Sequence, residues 1–216
     1  MTFIFNDMFH TAILTDEQKR LLKFIQQFRK DYYLVGGTAI ALQMGHRRSI
    51  DFDLFTPKNV QRKKIRKLFE DKFPSVNFIY EDVGELHLNI GEVKITFFQF
   101  NHAIQTPIDF NGYIAMPALP ELAAMKAYAF AERAKWKDYV DMYFLLKNNF
   151  SISQISQRAD ELFNTKDRQV FSEKLFRLQL SFFSDINYSE PIEYMNAPVS
   201  EEEVKKYLTE AATSAF

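Results

Sequence analysis

The apolar positions Leu21, Phe24, Ile25 and Phe28 repeat at helical intervals behind Thr15-Asp16-Glu17-Gln18, whose spacing is that of a capping box. The pattern predicts a first helix over about residues 16–29. Tyr32-Tyr33-Leu34-Val35, stopped by Gly36-Gly37, reads as a short buried strand. Thr38 to Met44 reads as a short helix ended by Gly45. From Ser49 to Phe55 polar and apolar residues alternate, which predicts a strand with one polar face. Thr56-Pro57 has the form of a helix start, a capping hydroxyl followed by proline. The helix it predicts carries Lys58, Arg62, Lys63, Lys64, Arg66, Lys67 and Lys72. Residues 76–82, 85–90 and 92–100 read as three strands joined tightly at Gly84 and Gly91. Past residue 115 the period changes: Pro120 opens a long helical stretch to about Lys147, and capping-box spacing at Ser151–Gln154 and Ser200–Glu203 starts further helices. The expectation is an α+β fold, with an α/β lobe over residues 1–115 and a helical lobe over 116–216.

Composition narrows the classes. At 216 residues the chain is long enough for one sizeable domain or two small lobes, and 47% hydrophobic with 25% charged residues excludes a disordered or low-complexity chain. The 23 Phe fit core packing. Twenty-seven basic against 28 acidic residues leave a net charge of -1, so any attraction to nucleic acid has to come from a local patch. Cysteine is absent, which excludes disulfides, thiol nucleophiles and cysteine-based zinc sites and suits a reducing compartment. The first residues lack a basic segment followed by an apolar core, and no stretch approaches the roughly 18 apolar residues of a membrane span. A cytoplasmic location without a membrane partner is the expectation.

The candidate chemistry lies between Leu34 and Phe55. Asp51 and Asp53 are two apart on the predicted strand, so their carboxylates share a face about 7 Å apart along the backbone, with Phe52 and Leu54 pointing into the core. Two neighbouring carboxylates repel unless a cation lies between them, and Mg²⁺ is held by one or two carboxylates with phosphates and water. Gly36-Gly37 sits at a strand-to-helix turn, where a side-chain-free backbone and the helix N-terminus favour a phosphate, and Thr38 adds a hydroxyl. A phosphate cradle and a metal platform thus follow one another along the chain.

Gly36-Gly37, thirteen residues, then Asp51-Phe52-Asp53-Leu54 resembles the signature of the DNA polymerase β-type nucleotidyltransferase superfamily. Val35 to Leu42 together with His46-Arg47-Arg48-Ser49-Ile50-Asp51-Phe52-Asp53-Leu54-Phe55 is similar to the AbiEii/AbiGii-type toxin nucleotidyltransferases. Downstream, Lys126, Arg133 and Lys137-Asp138-Tyr139-Val140-Asp141 resemble that family's second motif, and the Phe182–Asp185 region and the Val204-Lys205 helix fit as well. The resemblance implies a mixed β-sheet lobe with flanking helices, completed by a helical lobe. It implies a Mg²⁺-bound nucleoside triphosphate (NTP) as donor, transfer of its monophosphate to a macromolecular acceptor such as tRNA, and a cognate antitoxin as partner. Asp51 and Asp53 become the metal ligands, with Lys126 and Asp141 as further catalytic residues. Gly36, Gly37, Thr38, Ser49, Arg133 and Lys137 become the nucleotide-binding set. One position departs from the superfamily. Its third carboxylate falls here on Thr96, and a threonine hydroxyl is no adequate base at neutral pH. Either the acceptor is activated otherwise, or Glu92 or Glu85 stands in, or activity is weak or lost and the chain is a nucleotide-binding module that keeps the fold.

If residues 120–146 form one helix, Lys126, Arg133 and Lys137 fall within about 20° of one line and Asp141 about 60° round it, beside an apolar face. Such a cationic stripe suits triphosphate oxygens or, as plainly, salt bridges between lobes. The basic helix after Pro57 reads as a solvated face or as a patch for an RNA acceptor or an antitoxin. His10, His87 and His102 are isolated in sequence and read as structural, while His46 lies beside the motif arginines.

Overall fold

The computed structural model describes residues 9–130, 135–184 and 186–214, and divides into two compact units, Met1–Ala118 and Leu119–Phe216. The first unit is built on a seven-stranded mixed sheet. Helix α1 (Asp16–Ile25) begins at the expected capping box: Thr15 accepts from the Gln18 N–H at 3.1 Å, and the Gln18 side chain accepts from the Thr15 N–H at 3.0 Å. It ends four residues earlier than the periodicity suggests, running into a 3-10 turn over Gln26–Phe28. Strand β1 (Tyr33–Val35) leads directly into α2 (Gly36–Met44), and Gly45 closes that helix in the left-handed conformation.

Strand β2 spans Phe52–Thr56, so Asp51 lies immediately before the strand and Asp53 within it. The helix expected at Thr56-Pro57 is not there. The Thr56 hydroxyl does accept a backbone N–H, that of Lys58 at 3.1 Å, but it closes a turn, and α3 starts only at Arg62 and runs to Lys72. Strands β3 (Asn77–Asp82), β4 (Glu85–Ile90) and β5 (Val93–Gln99) follow the alternation closely. Two short strands that the pattern does not announce, β6 (Ile108–Phe110) and β7 (Ile114–Met116), complete the sheet.

The strand order is β3-β4-β5-β2-β1-β7-β6. β2 runs parallel to β5, β1 runs parallel to β7, and the other neighbours are antiparallel. One face of the sheet is the core. Leu34, Leu54, Phe97 and Leu86 are fully buried in successive strands, and Phe28, Phe69 and Tyr32 pack on Phe97 with ring centroids 5.0, 6.0 and 5.2 Å away. The Phe-rich composition is core packing at this point. The other face carries Asp53, Phe55, Thr96, Phe98, Glu85 and His87, which alternate with those core residues.

The second unit is helical: α4 (Leu119–Phe130), α5 (Trp136–Asn148), α6 (Ile152–Phe163), α7 (Glu173–Leu180) and α8 (Glu201–Thr213). The single helix expected from Pro120 to Lys147 is two helices. Lys135 caps α5 in an extended conformation (φ -99°, ψ 135°), bridges to Asn187 and ends any continuous stripe. Capping at Ser151 and Ser200 is as the spacing suggests. Arg177, 4% exposed, points its guanidinium at the carbonyls of Ala211, Ala212 and Ser214, placing a cation on the C-terminal end of α8.

Candidate active site

Buried polar side chains are the informative exceptions in a core. In the first unit Thr38, His46, Arg47, Ser49 and Thr96 are each no more than 8% exposed, and Thr38, Arg47, Ser49 and Thr96 lie beside the Gly-Gly turn or the acid-bearing strand. The turn itself is tight. Gly36 has φ +70°, and a Cβ built on it would lie 3.1 Å from the Asp53 carboxyl carbon and 3.3 Å from its Cβ, with Oδ2 closer still. The register explains the approach, because Val35 is the cross-strand partner of Asp53. A Cβ on Gly37 would meet the Arg47 guanidinium at 2.5 Å and the Ser49 hydroxyl at 3.1 Å. The N-terminus of α2 has Val35 before it and no side-chain cap, and the Asp53 carboxylate, the Arg47 guanidinium and the Ser49 hydroxyl lie against its first two residues.

Thr38 has a different task from holding phosphate. It is 1% exposed, and its hydroxyl donates to the Asp51 carbonyl and lies 3.0 Å from the Ser49 hydroxyl. The Ser49 carbonyl in turn accepts from the fully buried Gln18 amide at 2.9 Å. α1 and α2 therefore both hold the segment that delivers Asp51. Asp53 stands level with Thr96 on the parallel neighbour β5, so Thr96 lies in the row of Asp53.

Two residues gain a place that sequence reasoning did not give them. Arg47, 3% exposed, donates to the Arg48 carbonyl at 2.9 Å and covers Gly37. His87, read as isolated, is not: it is the cross-strand partner of Thr96, and its Nε2 is hydrogen-bonded to Glu85. The Glu85-x-His87 spacing on a strand, which puts both side chains on one face, was the available signal.

Among the described residues no three His, Asp or Glu side chains gather as a metal cluster. The acids available are Asp53, seated against the turn, and Asp51, two residues before Asp53 in the chain, and hard oxygen ligands of that number suit Mg²⁺ when phosphate and water complete the shell. A cavity of about 240 Å³, lined by Phe28, Asp31, Tyr32, Lys58, Lys64 and Ile65 among others, contains none of these motif residues.

In the second unit Lys126, Asp138 and Asp141 form one buried cluster, with the ammonium 2.7 Å from each carboxylate. They meet because α5 packs on α4, not through spacing along one helix. Lys137 and Lys135 both pair with Glu190, the latter at 2.7 Å. Partial burial opposes ionisation of Glu190, but the hydrogen bonds and charges of Lys135 and Lys137 outweigh it and hold the carboxyl at about 2. Arg133 lies outside the described residues. On α3, Arg62 and Arg66 are turned to Glu81 at 3.3 Å, while Lys63, Lys64, Lys67 and Lys72 are exposed.

A sequence profile of the nucleotidyl transferase AbiEii toxin, from type IV toxin–antitoxin systems, matches residues 20–212. The chain belongs to the AbiEii nucleotidyltransferase toxin family. Membership implies a nucleotide substrate and an antitoxin partner. The chain is 28% identical over 169 residues to an uncharacterized protein of Aquifex aeolicus (strain VF5), covering 75% of this chain and 82% of that one. Its fold is similar to MenT4, the nucleotidyltransferase toxin Rv2826c from Mycobacterium tuberculosis H37Rv, with a TM-score of 0.60 at 14% identity over 91% of this chain and 80% of that one. It is also similar to JHP933 from Helicobacter pylori, with a TM-score of 0.52 at 15% identity over 92% and 91% of the two chains. Among the described residues no helix is long and apolar enough to cross a membrane.

Proposed function

We propose that this AbiEii-family chain transfers a nucleoside monophosphate from a Mg²⁺-bound NTP to an RNA acceptor such as tRNA. The observation that supports the reading is the seat of Asp53 against Gly36, at the N-terminus of α2 that no side chain caps. There the α2 N–H groups bind phosphate oxygens, with the Arg47 guanidinium against Gly37 as a further positive charge. Asp51 and Asp53 hold the metal, which supplies charge neutralisation on the reacting phosphate. Thr38 and Gln18 keep the Asp51 segment in place through the Asp51 and Ser49 carbonyls. The acceptor oxygen attacks the α-phosphorus, the bond to the β-phosphate oxygen breaks, and pyrophosphate leaves. Lys126 and Asp141 are the further catalytic candidates, and their buried ion cluster is the chemistry they offer.

The test is incubation of the protein with each α-labelled NTP, Mg²⁺ and bulk tRNA, followed by gel analysis. Asp51→Ala and Asp53→Ala are expected to abolish label transfer while each variant still unfolds in one cooperative transition. Retained transfer in both variants rejects the metal platform. One observation favours a second reading, a binding module without turnover: the row that should supply a third carboxylate holds Thr96. That reading expects Mg²⁺-dependent nucleotide binding and no transfer.

A further inference from the structure

The open face of the sheet carries one row that reaches from the acid site toward the edge: Asp53 on β2, Thr96 on β5, His87 on β4 and Tyr80 on β3, each the cross-strand partner of the next. Neighbouring strands lie about 4.8 Å apart, so His87 stands two strands, about 10 Å, from Asp53 on the same face. Its side chain is 18% exposed, within reach of solvent. Every group known to face it can be named. Glu85 and Asn89 flank it on its own strand, Thr96 and Lys94 lie on β5, and the Tyr80 ring stands edge-on at 5.5 Å, with its hydroxyl on Asp82.

The Glu85 contact fixes the chemistry of the ring. An ionised carboxylate only accepts hydrogen bonds, so the Nε2 atom that meets it carries the hydrogen, and a neutral imidazole then has its lone pair on Nδ1. A carboxylate behind an imidazole also stabilises the charge that appears when Nδ1 takes a proton. The row thus lacks an acid at Thr96 and has an oriented base at the next position.

We propose that His87, oriented by Glu85, is the base that accepts the proton of the acceptor hydroxyl, in place of the carboxylate missing at Thr96. This rests on the transferase reading above. As the acceptor oxygen bonds to the α-phosphorus and pyrophosphate departs, the hydroxyl proton passes to His87 Nδ1. The imidazolium formed is neutralised by Glu85 and later returns the proton to water. Thr96, between the two, leaves room for the acceptor where an aspartate would stand.

The assay is transfer from α-labelled NTPs to bulk tRNA, with nucleotide affinity measured separately by calorimetry. Removing a general base costs about 10²–10⁴-fold in rate. His87→Gln is therefore expected to lower transfer by at least about 100-fold, with NTP·Mg²⁺ affinity within about twofold of the parent and melting unchanged. Glu85→Gln should lower it less. Thr96→Asp placed in the His87→Gln background should restore at least about tenfold. Transfer by His87→Gln within about threefold of the parent overturns the proposal and leaves the transferase reading standing. Loss of nucleotide affinity or of melting temperature in step with transfer also overturns it, since the role is then in binding or structure. A parent protein that binds NTP but labels no RNA overturns the transferase reading and this proposal together.

Discussion

Alanine at Gly36 tests the acid site most directly, because two separable costs meet there. The first is backbone. At φ +70° a side chain with a Cβ is strained by about 1–2 kcal/mol. The second is steric. The methyl would press on Asp53 at its carboxyl carbon, 3.1 Å away, and at its Cβ, 3.3 Å away. The Asp53 Cβ is fixed to β2, so rotating the carboxylate does not clear the contact, and overpacking of this kind costs about 1–3 kcal/mol. Gly36→Ala should therefore lose about 2–5 kcal/mol, or about 5–15 °C in melting temperature for a chain of this size. In an Asp53→Ala background the backbone strain and the Cβ contact persist and only the carboxyl contact is relieved, so the same change should cost about 1–3 kcal/mol there. The double-mutant cycle reads the difference, about 1–2 kcal/mol, by urea and thermal unfolding. Equal costs in the two backgrounds, or a Gly36→Ala loss below about 0.5 kcal/mol, would refute the argument that this carboxylate is seated on the glycine.

Two further outcomes concern buried polar groups. The Tyr33 hydroxyl is buried without a hydrogen-bond partner among the described residues, and burial pushes it up to about 12. The unfolded chain releases that proton from about pH 10, so the wild type should lose up to about 2–3 kcal/mol between pH 10 and 12 that Tyr33→Phe does not lose. At pH 7 Tyr33→Phe should be as stable or about 1 kcal/mol more stable by urea unfolding, and a clear loss would show that the hydroxyl has a partner. Lys126→Met leaves Asp138 and Asp141, 5% and 0% exposed, without their ammonium, and should cost about 3–5 kcal/mol. Adding Asp138→Asn and Asp141→Asn should recover most of it, and transfer by the recovered triple variant would show the cluster to be structural only.

The parts of the site that the sequence made legible are those set by short spacing or strict alternation. Gly36-Gly37 and Asp51-x-Asp53 are near neighbours in the chain, while Thr96 is matched to this row by the resemblance and reaches it only through the pairing of β5 with β2. What was misread depends on longer range. Thr56 has a capping side chain in both accounts, and only the fold decides that it closes a turn instead of opening a helix. No Gly or Pro marks the break before Trp136, so the sequence sets Lys126 and Asp141 fifteen residues apart on one helix, whereas two helices bring them together. His87 was dismissed because its partners are on neighbouring strands or two residues away, where a search for metal-ligand spacing does not look. Arg47 carried no signal beyond its charge, since nothing in the sequence says that a guanidinium will be buried over a glycine.

The Gln18 amide is used at both ends: its oxygen closes the cap of α1 and its nitrogen holds the Ser49 carbonyl. The first turn of α1 and the segment leading to Asp51 thereby share a single side chain, although thirty-one residues separate Gln18 from Ser49. Such a link makes the two stretches open together instead of fraying one at a time. In hydrogen exchange the amides of the first turn of α1 and those near Ser49 should rise and fall in protection as one unit. A substitution at position 18, remote in sequence from either acid, would loosen the acid-bearing segment as surely as one beside it.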